Sequence, residues 1–270
     1  MPKSILNGVI DIIDKALGLK RIGEKSVGKA PHYQHRTNCL RLSKGPVTAF
    51  NVEALIDDVY EKVKSNLIAS RSPSKENWRW KPNWAKTEET KAEKRRKKLE
   101  VKLERMIIET SDDWINQVPT ASGLVNKHSD KRRSIDLVHR CGDRSYEFLE
   151  LKVKSDNPLY AAMEILQYGI LYILARTNEQ VENTGKKKEL LKAKAVHLKV
   201  LAPTNYYEGL KLDWLERGIN DGLKRFLTAK ESSFLMDFKF EAFPPYFSLS
   251  PFLNLEAIKE ALEDRRSVYP

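Results

Sequence analysis

The chain of 270 residues is long enough for one large domain or two small ones, and 41 % hydrophobic with 9 % aromatic residues excludes a disordered composition. Forty-eight Lys and Arg against 37 Asp and Glu leave a net charge of +11, which favours a polyanionic partner, nucleic acid or an anionic membrane surface, and says nothing of fold. Two cysteines far apart, Cys39 and Cys141, exclude a disulfide framework and a CxxC zinc pair and fit a reducing cytoplasm.

Taken in chain order, an amphipathic pattern predicts a helix over 3–18, with Ile5, Leu6, Val9, Ile10, Ile13 and Leu17 interrupted by Asp11, Asp14 and Lys15. Those charges exclude a signal-peptide core and a membrane span. His32, His35 and Cys39 have metal-ligand chemistry, but their segment reads as irregular and no fourth ligand is near, so a structural role is the expectation. A second helix is predicted from Val52 to Leu67, then a loop over 70–90 holding Trp78, Trp80 and Trp84. Residues 1–90 thus read as a helical and irregular basic extension, and 91–270 as the main domain. There, 91–117 predicts a helix, 119–126 a strand, and 133–140 with 145–154 a strand pair turning at Cys141-Gly142-Asp143-Arg144, with Gly142 free to take positive φ. Asp156-Asn157-Pro158 opens a helix to about Arg176, apolar nearly all round and so expected to be buried. A strand at 195–201, a helix at 208–228, a strand at 235–242 and a helix at 254–265 complete the order. An α-β-β-β-α-β-α-β-α chain of this kind predicts an α/β fold, a mixed central sheet flanked by helices.

The strand pair carries the chemistry. Side chains alternate faces along a strand, so Ile135, Leu137, Leu149, Leu151 and Val153 fall on one face and Asp136, Glu150 and Lys152 on the other. A turn centred on Asp143 puts Asp136 opposite Glu150, roughly 5 Å apart at Cβ. Two carboxylates that close repel unless a cation lies between them, and a divalent cation such as Mg²⁺ serves. The plainer alternative is a solvent-facing strand with alternating charges, or a structural ion-pair network. The next helix places Tyr160, Glu164, Gln167 and Tyr168 on one stripe that can face the acids, with Gln167 and Tyr168 aimed at phosphate or water.

These residues, Asp136 followed by Glu150-Leu151-Lys152 on a hairpin after a Glu-bearing helix, resemble the PD-(D/E)XK nuclease superfamily, in an uncharacterised bacterial branch. Ile135 replaces the proline of the name, and Leu171 replaces the tyrosine of the Gln-x-x-x-Tyr motif found in its exonuclease-like branch. The resemblance implies a restriction-endonuclease-like αβββαβ core and a Mg²⁺-dependent phosphodiester hydrolase, Mn²⁺ able to substitute, cutting DNA ahead of RNA. It implies Asp136, Glu150, the Leu151 carbonyl and a carboxylate of the first core helix as metal ligands, that carboxylate being Glu104, beside Leu103 and Ile107, ahead of Glu100 and Glu109; and it implies Asp136, Glu150, Lys152, Glu104 and Gln167 as catalytic residues. Lys131, Arg132, Arg133, Lys154 and Tyr168 are then candidate nucleic-acid contacts, with Trp78 and Trp80 as stacking platforms if they do not simply pack the core. A homodimer or a protein partner is compatible, and a membrane partner is not expected. The rival from another class is a nucleic-acid-binding protein, or a subunit of a defence or repair assembly, that keeps the fold without cleavage. The lack of a Ser or Cys nucleophile motif and of a Gly-rich phosphate loop argues against an ATPase or kinase.

Overall fold

A computed structural model describes residues 2–19, 33, 36–47, 50–67, 73–82, 98–125, 130, 133–153, 157–178, 188–249 and 254–269. Among these, the helices are α1 (Val9–Ala16), α2 (Arg36–Leu42), α3 (Val52–Asn66), α4 (Lys98–Ile108), α5 (Pro158–Thr177), α6 (Asp213–Ala229) and α7 (Leu255–Glu263). The strands are β1 (Trp114–Pro119), β2 (Ser134–Gly142), β3 (Ser145–Leu151), β4 (Ala195–Pro203), β5 (Leu235–Phe243) and β6 (Arg266–Ser267). They form one sheet in the order β1-β2-β3-β4-β5-β6. β1–β2–β3 are antiparallel, β3–β4–β5 parallel and β6 antiparallel to β5. The expected α/β class with a mixed sheet is what the chain adopts.

Several boundaries differ from the sequence reading, each for a local reason. The first helix starts at Val9, because Gly8 is left-handed at φ 82° and the turns before it cannot continue a right-handed helix. The helix expected over 91–117 ends at Ile108, where Thr110 Oγ1 donates to the Ile107 carbonyl at 2.7 Å. Ser111 and the two aspartates after it also compete for the backbone; Ser111 Oγ accepts from the Asp113 N–H. The strand expected at 119–126 is therefore β1, five residues earlier, and 120–125 are turns. In the β2–β3 connection the left-handed residue is Arg144, φ 54°, not Gly142, and a bulge lies between Arg140 and Gly142. The helix expected at 208–228 begins at Asp213, and β6 was not anticipated.

Both faces of the sheet are buried. A large apolar cluster joins Val138, Tyr146, Phe148, Leu198 and Phe238 of the sheet to α1, α3, α5 and α6, so helices from before residue 91 share this core. A smaller cluster joins Leu137, Leu149, Leu151 and Val153 to Leu103 and Ile107 of α4 and to Ile258 and Leu262 of α7. Ile135, expected with those leucines, belongs to the larger cluster.

Helix α5 is the central strut. Asn157 caps it, its Oδ1 accepting from the Leu159 N–H at 2.9 Å and from Ser43 Oγ at 2.8 Å. Gly169 lets the helix sit against β4, since a Cβ there would lie 2.6 Å from Leu198 Cδ1. The helix is long and apolar enough to cross a membrane, but 83 % of its most apolar window is buried inside the protein, as in a core helix.

Candidate active site

Register places the two acids together. Leu137 pairs with Leu149, so one step further along both strands Asp136 faces Glu150. β3 ends at Leu151, and Lys152 follows with its N–H on the Leu201 carbonyl of β4 at 2.9 Å. That bond fixes the end of the strand and with it the origin of the lysine side chain. Asp136 Oδ2 accepts from the Leu151 N–H at 3.1 Å, tying the first acid to the backbone between the other two residues.

The charged side chains close the end of an otherwise apolar sheet face. Glu150 is 3 % and Lys152 2 % exposed. Lys152 Nζ lies 2.6 Å from Glu150 Oε1 and 3.6 Å from Glu164 Oε2, so α5 contributes a further carboxylate. Sequence reasoning put Glu164 on the correct stripe without assigning it to the site. Helix α4 brings Glu104 from the other side, 5 % exposed. Asn116 Nδ2 donates to its Oε1 at 2.6 Å and Gln117 Nε2 reaches both its oxygens at 3.2 Å. Consecutive strand residues ordinarily point to opposite faces; the left-handed backbone of Gln117, φ 47°, accompanies the convergence of both amides on one carboxyl. Neither amide was anticipated, because the strand itself was misplaced.

The electrostatics set this cluster apart. Burial, then the charge of Asp136, pushes the Glu104 carboxyl up to about 8 despite the two amide donors. Burial, then Asp136 and Glu164, holds Glu150 well above the carboxylate range even with Lys152 in contact. Burial works against the Lys152 ammonium, but Glu150, Glu164 and Asp136 outweigh it and raise its pKa. The contrast within β3 is direct. Glu147, three residues before Glu150, is also buried, but its bonds to His139 at 2.8 Å, Lys199 at 2.5 Å and Arg265 at 3.0 Å pull its pKa below the usual range. Glu147 belongs to a compensated ion-pair network; Glu150 and Glu104 are instead pushed toward the protonated form by burial and by the charge of Asp136.

The donor set suits a hard divalent cation. Asp136, Glu150, Glu104 and the Leu151 carbonyl offer oxygen only, and Mg²⁺ is bound through one or two carboxylates completed by water and substrate oxygens. As the side chains stand, no group of three or more His, Cys, Asp or Glu among the described residues is arranged to hold a metal ion. Any such ion would therefore draw on water or substrate for the rest of its shell.

The remaining expected residues divide. Tyr168 is 4 % exposed; its hydroxyl pKa is raised by burial and by the carboxylates Glu164, Glu150 and Asp136, with Arg133 opposing. Arg133, Glu164, Gln167, Tyr168, Tyr33 and Tyr160 border one small cleft beside the acids. Arg133 Nε is buried there without a hydrogen-bond partner among the described residues. Gln167 is turned from the carboxylates: its Nε2 donates to the Met163 carbonyl at 2.8 Å and lies 3.5 Å from the Tyr33 hydroxyl. Trp78 is no stacking platform. It is 1 % exposed and packs between Phe148 and Tyr172. Trp80 is half-buried with the Arg140 guanidinium over its ring, 4.4 Å from the centroid, so that face is occupied. Cys39 is a core residue at 1 % exposure, and His139 stacks on Trp114 with centroids 4.1 Å apart. Lys131, Arg132, Lys154, Trp84, His32 and His35 lie outside the described residues. No family model, no curated protein and no solved structure matches the chain.

Proposed function

We propose that the chain is a divalent-metal-dependent nuclease that hydrolyses phosphodiester bonds, in DNA ahead of RNA, at the Asp136–Glu150–Lys152 cluster. The observation that carries this reading is the opposed pair Asp136 and Glu150 at the end of β3: burial, and then the charge of Asp136, lift Glu150 well above the carboxylate range although Lys152 is 2.6 Å away. A purely structural site gains nothing from that arrangement, as the compensated Glu147 network shows. A site awaiting a cation does. The resemblance of the motif to the PD-(D/E)XK nucleases supports it, as do the α4-β1-β2-β3-α5-β4 order and the net charge of +11.

Mg²⁺, or Mn²⁺ in its place, would bind Asp136, Glu150 and the Leu151 carbonyl and supply charge neutralisation at the phosphodiester and a lowered pKa for a water. The chain's own residues do the rest. Asp136, held by the Leu151 N–H, keeps one oxygen directed by the backbone. Lys152 is held protonated by three carboxylates; its role is to orient the attacking water and offset the negative charge that grows on the phosphate. Glu104, with its raised pKa and two amide donors, positions or shares a proton at the edge of the site. The free thiols Cys39 and Cys141 suit a cytoplasmic location.

One observation favours a second reading. Lys152 already pairs with Glu150 and Glu164, and a silent nucleic-acid-binding relative can keep such a pairing. The test is cleavage of linear, circular, single-stranded and branched DNA and of RNA with Mg²⁺, Mn²⁺ or chelator. Wild type is compared with Asp136→Asn, which keeps an oxygen for the Leu151 N–H. Metal-dependent cutting that falls at least a hundredfold in the folded variant is the expected result. Tight binding with no cutting under either metal supports the silent relative instead.

A further inference from the structure

Beside the carboxylates, past the end of β3, lies a second feature that the cleavage reading does not use. A cavity of about 930 Å³ opens at the carboxyl ends of β3, β4 and β5, bordered by Val153, Tyr207, Phe243, Phe247, Arg266 and Tyr269. Its volume is in the range of pockets that hold a small organic ligand. The carboxyl ends of parallel strands are where open α/β sheets place their ligands. The wall is aromatic: half-buried Phe247 stacks on buried Phe243, centroids 4.3 Å apart and planes within 27°. Arg266, exposed at the rim, supplies a cation.

The cavity and the candidate site meet at the end of β3. Val153 on its border follows Lys152 in the chain, and the two side chains go to opposite faces of the sheet. Lys152 turns to Glu150 and α5, while Val153 packs in the smaller cluster on the other face. A nucleic-acid strand crossing the end of β3 therefore meets the phosphate chemistry on one side and the aromatic wall on the other, two strand spacings away at β5, about 10 Å. An unpaired base seated there would extend the Phe243–Phe247 stack, since every base has a π-face and stacking tolerates sequence. A paired base cannot enter without leaving its helix.

We propose that this cavity holds an unpaired nucleobase next to the scissile phosphate, so that the substrate is nucleic acid with a single-stranded segment or end, not blunt duplex. This rests on the nuclease reading for the position of the phosphate, but binding tests it without cleavage. The affinity of a labelled duplex with a single-stranded tail is compared with that of the same duplex blunt-ended, by anisotropy in chelator. The tail carries 2-aminopurine, whose emission falls on stacking. Wild type is expected to prefer the tailed DNA by about tenfold or more and to quench the probe. Phe247→Ala should lose both, and Phe247→Trp, which keeps a stacking ring, should retain them, which separates lost stacking from lost folding. Equal affinity of wild type for the tailed and blunt duplexes, or an undiminished preference in folded Phe247→Ala, overturns the proposal. A wild type that shows the Phe247-dependent preference but cuts nothing with Mg²⁺ or Mn²⁺ overturns the nuclease reading alone. One that cuts but is indifferent to Phe247 overturns the base pocket alone.

Discussion

Replacing Glu104 by Gln tests the electrostatics of the cluster independently of any activity. The Glu104 carboxyl rises from an ordinary 4.5 to about 8, first through burial and then through Asp136. A carboxyl with a higher pKa folded than unfolded binds its proton more tightly in the native state. Its contribution is therefore full below about 4.5 and is lost as pH rises to about 8. At about 1.36 kcal/mol per pH unit the whole span is worth roughly 5 kcal/mol, of which about 3–4 is lost between pH 5.5 and pH 9. Gln cannot ionise, yet keeps an oxygen for Asn116 Nδ2, now 2.6 Å away. In chelator, Glu104→Gln should be within about 1 kcal/mol of wild type at pH 5.5 and more stable than it by about 3 kcal/mol at pH 9. For a chain of this size that is on the order of 10 °C in Tm. Urea unfolding across pH 5–9 measures the difference directly, with equal m-values as the control for an unchanged native state. A stability difference that does not change with pH would refute the claim that Glu104 is forced to ionise against burial and Asp136.

The other consequences are separate. Lys152→Met removes a 2 % exposed ammonium from between Glu150 and Glu164; it should cost about 3 kcal/mol of stability in chelator near neutral pH, with part restored by Mn²⁺, and a cost under about 0.5 kcal/mol would show that the pair is not buried as described. Metal ligands must be deprotonated to bind, so adding Mn²⁺ at pH 7 should release about one proton per ion from Glu104, read by calorimetry in buffers of different ionisation enthalpy; binding with no release would remove Glu104 from the ligand set. Gly169→Ala should destabilise by about 1–2 kcal/mol in thermal unfolding despite alanine's better helix propensity, because its methyl meets Leu198 Cδ1 at 2.6 Å; a more stable variant would mean that α5 stands further from β4.

The relation between Asp136, Glu150 and Lys152 was legible in the sequence because it depends only on local quantities. Strand alternation has a period of two, and the distance to the turn sets which residues oppose one another. The Leu137–Leu149 pairing therefore follows from residues 134–151 without any knowledge of the rest. Burial of α5 was readable for the same reason, since its composition is apolar all round and Asn157-Pro158 marks its start. Glu104 and Glu164 could be placed on helix faces, but which of them reaches the acids depends on how α4 and α5 lie on the sheet. Only the packed structure puts Glu164 3.6 Å from Lys152 and binds Glu104 to Asn116 and Gln117. Gln167 shows the converse, on the predicted stripe but bonded to its own helix. Trp78 interleaves with cations in sequence exactly as a base-stacking loop would, so no local pattern distinguishes a stacking ring from a core ring; burial between Phe148 and Tyr172 decides it. The sign of each pKa shift is likewise tertiary. Glu147 and Glu150 are the same residue type on the same strand. Burial raises both, but the partners differ: His139, Arg265 and Lys199 pull Glu147 down while Asp136 and Glu164 push Glu150 further up, because the charges within a few ångströms are set by the whole fold.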